Sequence, residues 1–161
     1  MNIKILLSGD GGQGIQLIAN MICQAAFETD FHVTAIPNYG LEQRGGVSLN
    51  FIQISDKKQV YPKFTKPDIL LIMSPQAKER VEEYQENGEL KLEIGDYESI
   101  LKENNVPKQS QNIFCLGLIA KILEEKEILK KENIFELLEK KLSTKPGWEE
   151  NKKAFDLGNT L

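Results

Sequence analysis

A glycine-dense segment, Leu7-Ser8-Gly9-Asp10-Gly11-Gly12-Gln13-Gly14, constrains this chain more than any other feature. It follows a short apolar run over residues 3–7 and leads into a helical pattern with apolar positions at Ile15, Ile18, Ile22 and Ala25. Four glycines in six positions let the backbone take positive φ and let another group come close to bare amides. A strand that feeds such a loop into a helix N-terminus aims several N–H groups, and the positive end of a macrodipole, at one spot. That spot favours an anion, typically a phosphate. The same residues also suit a tight, closely packed strand-to-helix turn that meets no ligand.

The pattern beyond this loop predicts strands over 3–7, 31–36, 47–54, 68–73 and 89–94, with Pro37 ending the second. Val47, Leu49 and Phe51 alternate with Ser48 and Asn50, which reads as a half-exposed strand, returning through a short strand at Val60 and Tyr61. The run 68–73 is nearly all apolar, as expected for a central strand covered on both faces. Helices are predicted over 14–28, 75–85, 97–103, 112–123 and 134–142, with Pro75 in a first turn and Ser110 and Asn133 as caps. Pro146-Gly147 ends the last of these, and residues 148–158 form a terminal element. No repeat or linker divides the chain, so residues 1–161 are expected to form a single domain. Its predicted class is three-layer, Rossmann-like α/β with a largely parallel sheet.

One consequence matters for function. The loops 9–14 and 37–46 both leave the carboxyl ends of strands; if those strands run parallel, both emerge on one sheet edge, where such folds place ligands. The second loop carries Arg44 between polar residues and the glycines Gly45 and Gly46, and only Arg44 and Arg80 among 20 basic residues are arginines. A guanidinium there suits bidentate contact with phosphate or carboxylate, or an ordinary ion pair with Glu42. Arg80 reads as part of a solvated helix face.

Gly9, Gly11 and Gly14 satisfy G-x-G-x-x-G, yet the second strand ends Ala35-Ile36-Pro37-Asn38, without the acid that holds a dinucleotide ribose. Ile15-Gln16 stands where a phosphate-loop lysine would. Gly9-Asp10-Gly11 with Asn38 mimics half of a thiamine-diphosphate signature, but a single Asn followed by Tyr39 does not complete it. His32 is the only histidine and begins a strand, so no histidine-based triad is expected and no catalytic residue is assigned. Cys23 and Cys115 read as buried thiols, too few to ligate a cluster, and no metal site is expected. A net charge of −4 argues against nucleic acid or an anionic membrane as partner. No apolar run spans a bilayer and the chain runs straight into a strand, so a reducing cytoplasm is the expected home.

These residues together resemble the gamma subunit of 2-oxoacid:ferredoxin oxidoreductases. The likeness lies in Gly9-x-Gly11-Gly12-Gln13-Gly14-Ile15, in Tyr39-Gly40-x-Glu42-x-Arg44-Gly45-Gly46, and in Ile54-Ser55-Asp56. Pro67-Asp68-Ile69-Leu70, Asn112 with Gly117, and Asn151-x-x-x-Phe155-x-x-Gly158 extend it over nearly the whole chain. The chain is short for the family, with the stretch between Gly95 and Gln111 compressed. The resemblance implies a Rossmann-like gamma-type domain that is inactive alone. It would work with thiamine-binding alpha and beta subunits and a ferredoxin-like subunit, which would hold thiamine diphosphate and iron–sulfur clusters. The assembled enzyme would oxidise pyruvate, 2-oxoglutarate or a related 2-oxoacid to an acyl-CoA, with coenzyme A as substrate and ferredoxin or flavodoxin as acceptor. Gly9, Gly11, Gly12, Gln13 and Gly14 would then form an anion-receptive or interface loop, with Arg44, Gly45 and Gly46 beside it. A beta-type subunit of indolepyruvate oxidoreductase and a free-standing coenzyme A or nucleotide module are the alternatives. A subunit of this kind should expose an apolar docking patch, for which Leu49 with Phe51 and Trp148 with Phe155 are candidates.

Overall fold

Strand β1 (Asn2–Asp10) sits at the centre of a five-stranded sheet. The others are β2 (His32–Tyr39), β3 (Val47–Ser55), β4 (Ile69–Ile72) and β5 (Leu90–Glu93), in the order β2-β3-β1-β4-β5. In this computed structural model, which describes residues 1–39 and 46–161, β1 pairs parallel with β4, and β4 with β5. Strand β3 runs antiparallel to both β1 and β2, which makes β1 and β2 point the same way. Four strands therefore share one direction and β3 alone opposes it. The described residues fall into two compact units, Met1–Asp96 and Tyr97–Leu161.

In the first unit the pleat sorts side chains onto two faces. Helix α1 (Ile15–Phe27) lies on β1, β2 and β3, burying Ile15, Ile18, Met21, Ile22 and Ala25. On the opposite face Leu6, Leu49, Phe51, Leu70 and Ile72 form one cluster with Ala77 and Val81, from and just after α2 (Pro75–Arg80). A helix, a sheet and a helix thus make three layers. Phe51 is the hub of this face, edge-on to Phe64 at 5.3 Å and to Tyr84 at 5.8 Å.

Burial on both faces explains where the sequence pattern misleads. Every residue of β3 is buried, polar ones included, so the strand is not half-exposed. Gln53 donates from Nε2 to the carbonyls of Tyr61 (2.9 Å) and Pro62 (2.7 Å), and Ser48 accepts from Gln16 at 3.1 Å. A satisfied polar side chain is tolerated inside, so alternation does not imply solvent here. Val60 and Tyr61 form no strand and are 96% and 74% exposed. Pro37 does not end β2, which continues to Tyr39; β2 is an edge strand, where a missing N–H is tolerated. The helix expected over 75–85 divides at Val81 into α2 and α3 (Glu82–Gln85).

The second unit holds α4 (Glu98–Glu103), α5 (Gln111–Glu125), α6 (Lys131–Leu142) and α7 (Trp148–Thr160). Helices α5 and α7 run side by side in the same direction: Ser110 meets Asn151 at one end, and Gly158 lies against Phe114 and Leu118 further along. Ser110 stands at the N-cap position of α5 as expected but makes no side-chain cap bond; its Oγ donates to Asn151 Oδ1 at 2.8 Å instead. Asn133 lies inside α6, which starts at Lys131. Leu49, Phe51 and Phe155 are each 2% exposed and belong to cores, whereas Trp148 is partly exposed.

Candidate functional site

The carboxyl ends of β1 and β2 lie on the same edge of the sheet, because Gly9 pairs with Ser48 and Ser48 with Tyr39. The two glycine loops therefore begin side by side. They are also joined: the Gly11 N–H donates to the Gly46 carbonyl at 2.9 Å, one step beyond the last β1–β3 pair, Asp10 with Val47. Arg44 and Gly45 lie outside the described residues.

Each residue of the first loop has a separate physical task. A Cβ on Gly9 would come within 2.8 Å of Ile15 Cδ1, so a larger residue there would force the Ile15 side chain to shift. Gly12 and Gly14 take φ of 90° and 80°, the left-handed region that other residues enter at a cost. The side chain of Gln13 turns inward: its Oε1 accepts from the Asp10 N–H at 2.7 Å, and its Nε2 donates to the Met73 carbonyl at 3.0 Å. Gln13 is thus a latch between the loop and the end of β4.

What the loop offers outward is backbone. Gly11 and Gly12 are exposed, and the Gly11 and Gln13 amides are already used, the latter by the Asp10 carbonyl at 3.1 Å. Among the described residues the Gly12 and Gly14 amides have no acceptor. Gly14 precedes α1 without any side-chain cap, and no acid stands in the first turn, so the positive end of the helix is left open. Gln16 in that turn is pinned to β3, donating to Ser48 Oγ and accepting from Asn50 Nδ2 at 2.8 Å.

Two rim residues escaped the sequence reading. Ser74 caps α2 by accepting from the Ala77 N–H at 2.9 Å, and its own hydroxyl donates to Asp10 Oδ1 at 2.7 Å. A serine before Pro75, straight after an apolar strand, is a capping signature that was there to be read. The Asp10 carboxylate, by contrast, gains its partner only through tertiary structure. At the far side of this edge, Lys78 of α2 pairs with Glu93 at the end of β5, 2.8 Å apart.

Burial pushes the Cys23 thiol up to about 11 and the Cys115 thiol up to about 12, which keeps both protonated and unreactive. His32 is exposed at the start of β2. Among the described residues no group of three or more His, Cys, Asp or Glu side chains could hold a metal, and no helix is long and apolar enough to cross a membrane.

Known proteins resemble this arrangement. The 2-oxoglutarate synthase subunit KorC of Methanocaldococcus jannaschii is 44% identical over 78 residues, 48% of this chain and 42% of that one. The common gamma subunit of pyruvate/ketoisovalerate oxidoreductases of Thermococcus kodakarensis is 35% identical over 74 residues, 45% of this chain and 40% of that one. The chain thus spans about two fifths of the length of the curated relatives it matches. Among solved structures, the gamma subunit of a keto/oxoacid ferredoxin oxidoreductase from Geobacter sulfurreducens superposes with a TM-score of 0.66 at 24% identity, covering 97% of this chain and 95% of that one. A 2-oxoglutarate:ferredoxin oxidoreductase from Magnetococcus marinus, solved with 2-oxoglutarate, coenzyme A and succinyl-CoA bound, gives 0.77 at 19% identity over 99% of this chain and 30% of that one. At these identities the structural matches establish the α/β fold. The family model of pyruvate ferredoxin/flavodoxin oxidoreductase matches residues 4–161, nearly the whole chain, and the chain therefore belongs to that family.

Proposed function

We propose that residues 1–161 serve as one gamma-type module of a multi-subunit 2-oxoacid oxidoreductase, with no turnover of its own. The observation that carries this reading is the family match over residues 4–161. The geometry of the rim supports it. A surface of amides at Gly12 and Gly14 that have no acceptor among the described residues, beside an uncapped helix start, can receive an anion.

In the assembled enzyme, alpha and beta subunits hold thiamine diphosphate, which supplies the electron sink for decarboxylation. A ferredoxin-like subunit passes electrons to ferredoxin or flavodoxin, and the acyl group leaves on coenzyme A. The part played by this chain is binding and orientation. Gly12 and Gly14 donate to an anionic group, either a coenzyme A phosphate or a partner carboxylate. Gly9 and Gln13 keep the loop shape, and Arg44, Gly45 and Gly46 complete the rim. The Asp10 carboxylate, held by Ser74, repels an anion that enters from the β4 side and so restricts the direction of approach. The reducing cytoplasm is its proposed location, which suits two free thiols.

Assays of the purified chain with pyruvate and 2-oxoglutarate, and calorimetry with coenzyme A, test this. The expected result is no turnover, no tight binding in isolation, and co-purification of the native chain with larger thiamine-binding partners. Robust turnover by the lone polypeptide would overturn the reading, and tight binding of coenzyme A without partners would mark a free-standing module instead.

A further inference from the structure

The unit Tyr97–Leu161 carries a second surface, independent of the glycine rim and of the function proposed for it. Helices α6 and α7 meet through rings: Phe135 lies 5.3 Å from Phe155 and 5.9 Å from Trp148. Beside these rings an open groove of about 490 Å³ is lined from α6 by Glu132, Phe135 and Glu136, and from α7 by Phe155, Asp156 and Asn159. The floor is aromatic and the walls are acidic. Glu132, Glu136 and Asp156 are exposed, and among the described residues Glu136 and Asp156 form no ion pair. Lys131, the one cation on the lining, is already held by Glu124 at 3.1 Å. Asn159 adds a buried acceptor: its Nδ2 donates to the Phe155 carbonyl at 3.2 Å, and its Oδ1 has no partner.

We propose that this groove docks a short amphipathic helix of a partner chain, with an aliphatic anchor against the partly exposed ring of Phe135 and lysines or arginines facing the carboxylates. Charge complementarity selects this occupant. Three carboxylates around an apolar floor repel an acidic or neutral segment that cannot compensate them, and they draw in a cationic one. The lining positions recur one turn apart on each helix, which is the spacing at which a third helix lays its apolar stripe into a two-helix groove.

The probe is a synthetic amphipathic leucine–lysine peptide, titrated into the full chain. The readouts are the fluorescence of Trp148, the sole tryptophan, and the amide resonances of residues 131–136 and 155–160. We expect saturable binding that perturbs both segments and weakens roughly tenfold or more in the double variant Glu136→Lys with Asp156→Lys. A neutralised variant, Glu136→Gln with Asp156→Gln, should weaken binding less and guards against misfolding of the first. The matched leucine–glutamate peptide should not bind. Equal affinity in wild type and both variants, or equal binding of the acidic peptide, overturns the proposal. So does concentration-dependent self-association that shifts the same resonances without peptide, because the occupant is then a second copy of this chain.

Discussion

The glycine rim and the α5/α7 crossing use the same residue for opposite ends. At the rim, Gly12 has nothing within 4 Å of the place a Cβ would occupy; glycine is there because φ is 90°. At the crossing there is no space at all. A Cβ on Gly117 would collide with the Phe155 carbonyl oxygen, and one on Gly158 with that of Phe114 and, at 2.9 Å, with the Leu118 nitrogen. One region keeps glycine to hold a shape and leave backbone open to the outside; the other keeps it to bring two helices into backbone contact. Gly9 stands between the two kinds: space is short there, but the neighbours are the side chains of Ile15 and Gln13 and not backbone. A glycine-rich signature is therefore evidence of a ligand site only where the surrounding space is empty.

Substitution at the crossing should do the most damage. Gly158→Ala is expected to cost about 3 kcal/mol or more, because backbone atoms of α5 cannot move away as a flexible side chain can. Urea unfolding of the full chain measures this, and a loss under 1 kcal/mol would dissolve the contrast. Next comes the latch. Gln13→Leu removes the bonds to the Asp10 N–H and the Met73 carbonyl and should cost about 2 kcal/mol. Gly12→Ala should cost only about 1 kcal/mol, from φ alone. A D-alanine introduced at Gly12 by semisynthesis sharpens the comparison, since it prefers the positive φ that Gly12 adopts. It should be neutral or stabilising by up to about 1 kcal/mol, whereas L-alanine at Gly117 destabilises.

The smallest effect concerns the Lys78–Glu93 pair. The hydrogen bond from Lys78 holds the Glu93 carboxyl below its usual range, so the stability it contributes is present above that usual value and lost as pH falls through the depressed one. Glu93 in turn raises Lys78, whose contribution is present below its ordinary value and is lost as pH rises through the raised one. Lys78 is exposed and Glu93 only partly buried, so solvent screening keeps the effect slight. Lys78→Met should flatten the acid limb of a thermal-denaturation profile below pH 4.5 and leave neutral pH nearly unchanged. An unaltered acid limb would remove the pair from the account.

Much of the fold was legible because local chemistry points one way. The apolar run at 68–73 became β4 (Ile69–Ile72), buried on both faces, and Pro75 stands in the first turn of α2. The prediction that loops 9–14 and 37–46 share a rim holds for Gly11 and Gly46, joined at 2.9 Å. The direction of β3 was not legible, because a period of two is the same in either direction and connection alone does not choose it. Ser48, Asn50 and Gln53 misled for a related reason. Ser48 and Asn50 meet Gln16 from more than 30 residues away, and Gln53 meets the carbonyls of Tyr61 and Pro62 in the loop that follows the strand.

By itself the sequence determined where the backbone must bend, which runs need covering, and that residues 4–161 carry one family's pattern, because these depend on dihedral freedom, on apolar spacing and on residue identity. Tertiary structure decided which glycines are crowded by backbone and which polar side chains bond to a carbonyl. Those outcomes depend on the space and partners that remote segments bring, and a linear pattern does not contain them.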